Sequence, residues 1–93
     1  MDEFEWDPAK AQANLEKHGT EFSIAIQLWR GSVLERPDTR RAYGETRMQA
    51  FGKVDGRTIT VIFTWRGRKR RIISARKANL REQRFLEEAI QRR

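Results

Sequence analysis

Few side chains in this sequence can do chemistry, and most of those that can are arginines. Arg71 and Arg76 lie in the basic run RGRKRRIISARK at residues 66–77, and Arg47 precedes another apolar segment. Arginine holds phosphate by planar, bidentate contact and stabilises the negative charge of a phosphoryl transition state. Lys17 and His18 close the first helical segment. His18 has two roles open to it: a general base, because its unperturbed pKa is near neutrality, or a structural residue at the helix C-terminal dipole. With one His and no Cys the common zinc spacings are excluded, and the acids do not cluster as a two-metal nuclease requires. No G-x-x-x-x-G-K-[ST] or G-x-G-x-x-G loop is present, so neither a metal nor a cofactor is expected. Metal-free cutting of a nucleic acid points to RNA, whose deprotonated 2′-hydroxyl can attack the adjacent phosphate.

Charge distribution points to the same ligand. Residues 1–45 hold nine acids and six bases, whereas residues 46–93 hold four acids and fourteen bases. The halves carry −3 and +10, which sum to the net +7 of the chain. Such polarity suits a polyanion, through counterion release from phosphates. An acidic protein partner fits the charge as well. The 93 residues suit a single domain, 1–93, and an apolar content of 38% is enough for a modest core. No apolar run approaches the ~20 residues needed to cross a bilayer, and the first thirty residues lack a signal-peptide core. A cytoplasmic location is expected.

These residues must be positioned by short elements. Glu3-Phe4-Glu5-Trp6 alternates polar with aromatic residues as a strand does. Asp7 caps a helix, Pro8 suits its first position, and Gly19 ends it after His18. On that helix Lys10, Asn14 and Lys17 share a polar side, Ala11 and Leu15 mark the buried side, and His18 falls close to the latter. Phe22, Ile26 and Trp29 recur at helical spacing up to Gly31, giving a second helix. Gly31–Glu45 is a loop in which Ser32–Glu35 can add a few extended residues. Three strands follow, roughly Thr46–Val54, Arg57–Trp65 and Arg70–Arg76, with turns at Asp55-Gly56 and Arg66-Gly67-Arg68. Asn79 and Glu82 form a capping box for a last helix with apolar Phe85, Leu86, Ala89 and Ile90. The order β-α-α-β-β-β-α describes an α+β domain with helices on a small antiparallel sheet. Simple alternation puts Arg71 and Arg76 on opposite faces of their strand unless a bulge re-aims one. In the plainer alternative Arg76 pairs with an acid of the first or second helix, and Arg47 is a strand-edge solubilising charge.

The motifs agree with one another as well as with the charge. FEWDPAKAQANLEKHG at 4–19 with Phe22, GETR at 44–47, FGKVDGR at 51–57 and RRIISARKA at 70–78 together resemble the BrnT family of type II toxin–antitoxin toxins. The resemblance implies a RelE-like fold and a metal-independent ribonuclease that halts translation. It also implies neutralisation by a BrnA-type antitoxin with a ribbon-helix-helix part, in a complex that represses its own operon and so meets operator DNA through the antitoxin. Matched family positions are Trp6, Asp7, Lys10, Asn14, Lys17, His18, Gly19, Arg47, Arg71, Ser74, Arg76 and Lys77. Glu21 stands where the family often has a Ser able to cap the second helix. The turn Arg66-Gly67-Arg68-Lys69-Arg70 is more basic than is usual in the family.

The resulting expectation is an endoribonuclease with Arg47, Arg71 and Arg76 on phosphate charge and His18 or Lys17 moving a proton. Trp6, Lys10, Arg66, Arg68, Lys69, Arg70 and Lys77 are expected to bind RNA, with Trp6 open to a core role instead. The competing expectation is a non-catalytic basic module that binds nucleic acid or a protein partner.

Overall fold

The computed structural model describes residues 3–92. Strand β1 (Phe4–Glu5) leads into helix α1 (Pro8–His18), whose ends follow the local chemistry. The Asp7 carboxylate accepts from Ala9 N at 2.9 Å, and Gly19, at φ 67°, donates to Leu15 O at 2.8 Å. Helix α2 (Phe22–Ala25) is one turn and runs into a 3₁₀ segment, Ile26–Arg30. The expected second helix is thus split. The buried residues are Phe22, Ala25 and Leu28, a spacing of three that the tighter 3₁₀ winding keeps on one side. Glu21 makes no side-chain cap, in keeping with the absence of a Ser there.

Strands β2 (Leu34–Pro37), β3 (Met48–Val54), β4 (Arg57–Arg66) and β5 (Lys69–Lys77) join β1 in a five-stranded sheet of order β1-β5-β4-β3-β2. The β3–β5 meander is as expected, with Asp55 (φ 52°) and Gly56 (φ 79°) forming its first turn. Two features differ from expectation. The sheet is mixed, because β1 runs parallel to β5 with Phe4 opposite Arg70 and Glu5 opposite Arg71. Part of the expected loop is also an edge strand, β2, antiparallel to β3. Its periodicity is hidden because an edge strand needs only one covered side and tolerates Pro37, which lacks a ladder donor.

Helices pack on both faces of the sheet. On one face α1, α2 and the 3₁₀ segment cover Ala50, Val54, Ile59, Val61, Phe63, Ile72 and Ala75. A Cβ on Gly52 would stand 3.0 Å from Leu28 Cβ, so glycine lets the 3₁₀ segment approach β3. Asn14, expected on the polar side of α1, is instead its buried residue. Its amide accepts from Ala75 N at 3.1 Å and donates to Ala75 O at 2.8 Å, doing for β5 what a neighbouring strand would do where short β1 has ended. The opposite face receives α3 (Leu80–Gln91), held by buried Leu86 and by Phe85 edge-on to Phe51. Burial of one such side chain is worth ~1.5–3 kcal/mol. The Asn79–Glu82 capping box is complete.

A bulge in β5 decides which side chains share a face. Ile62 pairs with Ser74 but Phe63 pairs with Ile72, so Ile73 is extra. Arg76 then lies opposite Thr60 and Arg71 opposite Thr64, two β4 residues of the same parity. Both arginines therefore emerge on the α3 face, which simple alternation forbids.

Candidate nucleic-acid interface

Across the end of the α3 face nearest the β4–β5 turn runs a row of polar side chains, one from each successive strand. Glu5 of β1 accepts from Arg71 Nη1 of β5 at 2.9 Å, each side chain about one third exposed (31% and 32%). Thr64 of β4 is next, its hydroxyl donating to Thr46 O at 2.7 Å. Arg47 follows, just ahead of β3. Its Nε donates to Glu45 at 3.3 Å and its guanidinium lies 4.0 Å from the centre of the Tyr43 ring. Strands lie ~4.8 Å apart, so Arg71 and Arg47, two strands apart, are ~10 Å apart at their Cα atoms. Long side chains at that spacing can meet over one phosphate. Arg66 and Lys69 share this face at the hairpin end, where Arg66 approaches Glu45 at only 3.9 Å.

The loop carrying Arg47 is fixed by Asp38. Buried Asp38 accepts from Arg40 through both oxygens, at 2.7 and 2.9 Å, and from the Tyr43 hydroxyl at 3.2 Å. The Arg40 hydrogen bonds hold its carboxyl below the usual range against the opposing effect of burial. Asp38 N also donates to Arg47 O at 2.7 Å, extending the β2–β3 ladder to the row.

Arg76 is on the same face but at its other end, and it is occupied. Its Nη1 and Nη2 donate to the two oxygens of Glu82 at 2.8 and 2.9 Å. Glu82 Oε1 also accepts from Thr60 Oγ1 at 3.1 Å and Asn79 N at 3.0 Å. Burial pushes the Glu82 carboxyl up, but Arg76, Asn79 and Thr60 outweigh it and the net shift is downward. The acid beside Arg76 thus comes from the third helix, not the first or second.

His18 and Lys17 are not brought to this row. They end α1 on the opposite layer, in exposed positions, and His18 is not near the buried side as its spacing suggested. A cleft lined by Gly19, Val54, Asp55, Arg57 and Lys77 puts that end of α1 beside the β3–β4 turn. At ~3.3 Å per residue, Lys77 is ~20 Å along β5 from Arg71. Lys10 is exposed on the same helix, away from the row. Trp6 packs edge-on against Phe22, 5.8 Å between ring centres, on the core side.

Arg70 also departs from its expected place in a solvated turn. It lies within β5 on the helical-pair face, with its guanidinium 4.6 Å from the ring centres of both Trp29 and Trp65 and 5.4 Å from that of Phe63. Its Nη2 donates to Glu35 at 3.2 Å, and Glu35 accepts from Trp29 Nε1 at 2.8 Å. Arg68 occupies the turn itself, and its side chain, like that of Lys69, makes no hydrogen bond or ion pair among the described residues.

Glu5, Thr64 and Tyr43 are the members of the row and its surround that sequence reasoning missed. Alternation of Phe4, Glu5 and Trp6 already turns Glu5 away from the aromatic core. Its partner became visible only with the parallel β1–β5 pairing.

Fold and face together define a class: small α+β proteins that gather arginines and an acid on one sheet face suited to a phosphate chain. Within that class, the chain belongs to the BrnT family, described as a ribonuclease toxin of type II toxin–antitoxin systems, whose model matches residues 6–82. No curated protein matches the chain. Membership makes it a ribonuclease toxin with RNA as substrate and an antitoxin as partner.

Proposed function

We propose that the chain cleaves RNA by attack of the 2′-hydroxyl on the adjacent phosphate, at the row formed by Glu5, Arg71 and Arg47. The observation that carries this reading is the 2.9 Å Glu5–Arg71 pair. A carboxylate beside a guanidinium suits a 2′-hydroxyl beside its own phosphate: Glu5 takes the proton while Arg71, with Arg47, holds the non-bridging oxygens. The 2′-oxygen then bonds to phosphorus and the bond to the 5′-oxygen breaks. That oxygen leaves with a proton from solvent, giving a 2′,3′-cyclic phosphate and a 5′-hydroxyl. His18 and Lys17 take no part in these steps. Cyclic phosphate ends formed in EDTA are the expected result, and recovery of uncut RNA from folded protein would overturn the reading.

The wider role follows: cytoplasmic RNA cleavage that inhibits translation, neutralised by a BrnA-type ribbon-helix-helix antitoxin in a complex that represses its own operon and meets operator DNA through the antitoxin. No helix of the described residues is long and apolar enough to cross a membrane. Co-expression of such an antitoxin is expected to relieve growth arrest.

One observation favours a second reading, a non-catalytic binding module. Arg47, Arg71 and Arg76 each already have a carboxylate partner. If induction of the folded wild-type chain leaves growth and RNA intact, this second reading replaces the first.

A further inference from the structure

Trp65 is the aromatic residue among the large apolar side chains left exposed, at 46%. Its inner side is fixed. The Arg70 guanidinium lies 4.6 Å from its ring centre, with Trp29 the same distance beyond, and Phe63 meets the ring edge-on at 5.6 Å. The ring is therefore packed on its inner side, while nearly half of its surface faces solvent. Among the described residues β1 pairs only as far as Arg70 and β3 begins opposite Phe63, so the hairpin tip extends beyond both ladders. That tip carries Arg66, Arg68 and Lys69, the side chains of the last two without a partner among the described residues.

We propose that Trp65 is a stacking platform for an unpaired base of single-stranded RNA, with flanking phosphates held by Arg66, Arg68 and Lys69. The proposal rests on the reading of the chain as RNA-directed. An exposed indole beside cations on the same tip favours a nucleic acid, which offers a flat base and flanking phosphates together, whereas an acidic protein would match the cations alone. A base presents its flat side to an indole only when unstacked, which selects single strands over duplex. Because the ring is already packed against Arg70 and Phe63, stacking costs little side-chain entropy. Trp65 is a binding residue: it stands with Arg70 on the helical-pair face, across the sheet from the Glu5–Arg71–Arg47 row, so the base it holds is remote from the reacting phosphate and the strand passes round the hairpin tip between them.

Binding of an uncleavable 2′-O-methyl oligoribonucleotide tests this through tryptophan fluorescence. Quenching by the single strand but not by the duplex is expected in the full chain. Trp65→Leu, which keeps apolar cover over Arg70, is expected to weaken binding about tenfold, whereas Trp65→Phe keeps most of the affinity. With cleavable RNA the Leu variant is expected to raise KM and leave kcat unchanged. Equal affinity in wild type and the Leu variant, with the fold verified by circular dichroism, would overturn the proposal. So would equal quenching by duplex, or loss of antitoxin binding with RNA affinity intact. If the wild-type protein binds the single strand but cleaves no RNA, the proposed reaction fails while the platform is still judged by the binding data.

Discussion

Arg71 and Arg76 differ in what their loss leaves behind. Arg71 and Glu5 are each about one third exposed, and such pairs contribute only ~0–1 kcal/mol to stability. Arg71→Ala is therefore expected to melt close to wild type while kcat/KM for RNA falls by ~10²–10³, the usual loss when one transition-state donor is removed. Arg76→Ala strands the Glu82 carboxylate, 10% exposed, without its guanidinium. A cost of about 1–3 kcal/mol is expected in urea unfolding, so lost toxicity in this variant reflects lost fold. His18→Ala is expected to cut RNA like wild type, and a folded but inactive His18 variant would sink the Glu5-centred reaction. Residue types were readable here, but their burial was not. Asn14 and Lys17 share a helix side in the sequence, yet Asn14 is consumed by the Ala75 backbone and Lys17 is left in solvent.

At the scale of elements, caps and turns were legible because they depend on near neighbours. Asp7, Gly19, Asp55-Gly56 and the Asn79–Glu82 box all stand where local rules put them. What was hidden depends on distant partners: the edge strand β2, the parallel β1–β5 pair and the bulge at Ile73. Deleting Ile73 is expected to leave Ser74 opposite Ile62 and Ile72 opposite Phe63 in plain alternation, so Arg71 and Arg76, then four residues apart, both keep the α3 face and cleavage by the folded variant persists. The helix-to-strand staple at Glu82 predicts a pH response. Its folded pKa lies below the ordinary value of 4.5, so its stabilisation is full above pH 4.5 and is lost as pH falls through the folded value. Thermal melts across this range are expected to show wild type losing its advantage over Glu82→Gln as the solution is acidified.

For the whole molecule, the −3 and +10 halves proved a sound guide to ligand class and a poor guide to location. The fold distributes those cations between a row, a projecting hairpin, a stapled arginine and a caged one. Replacing Arg66, Arg68 and Lys69 with Ser is expected to lower the slope of log affinity against log salt by about 2 for single strands, at ~0.7 per lost phosphate contact. Arg70 is not expected to contribute to that slope, because its charge is spent between Trp29 and Trp65. The Glu5–Arg71 pair also has a meaning in time, since its members are 66 positions apart. A ribosome adding ~5–20 residues per second completes Arg71 roughly 3–13 s after Glu5. Throughout that interval the nascent chain carries the acid without its arginine, and β1 without the strand it pairs with. Chains ending before Lys69 are accordingly expected to spare growth on induction. A protein directed against RNA is born from a machine made of RNA, and in the proposed reaction this topology leaves Glu5 without Arg71 until that machine has added 66 further residues.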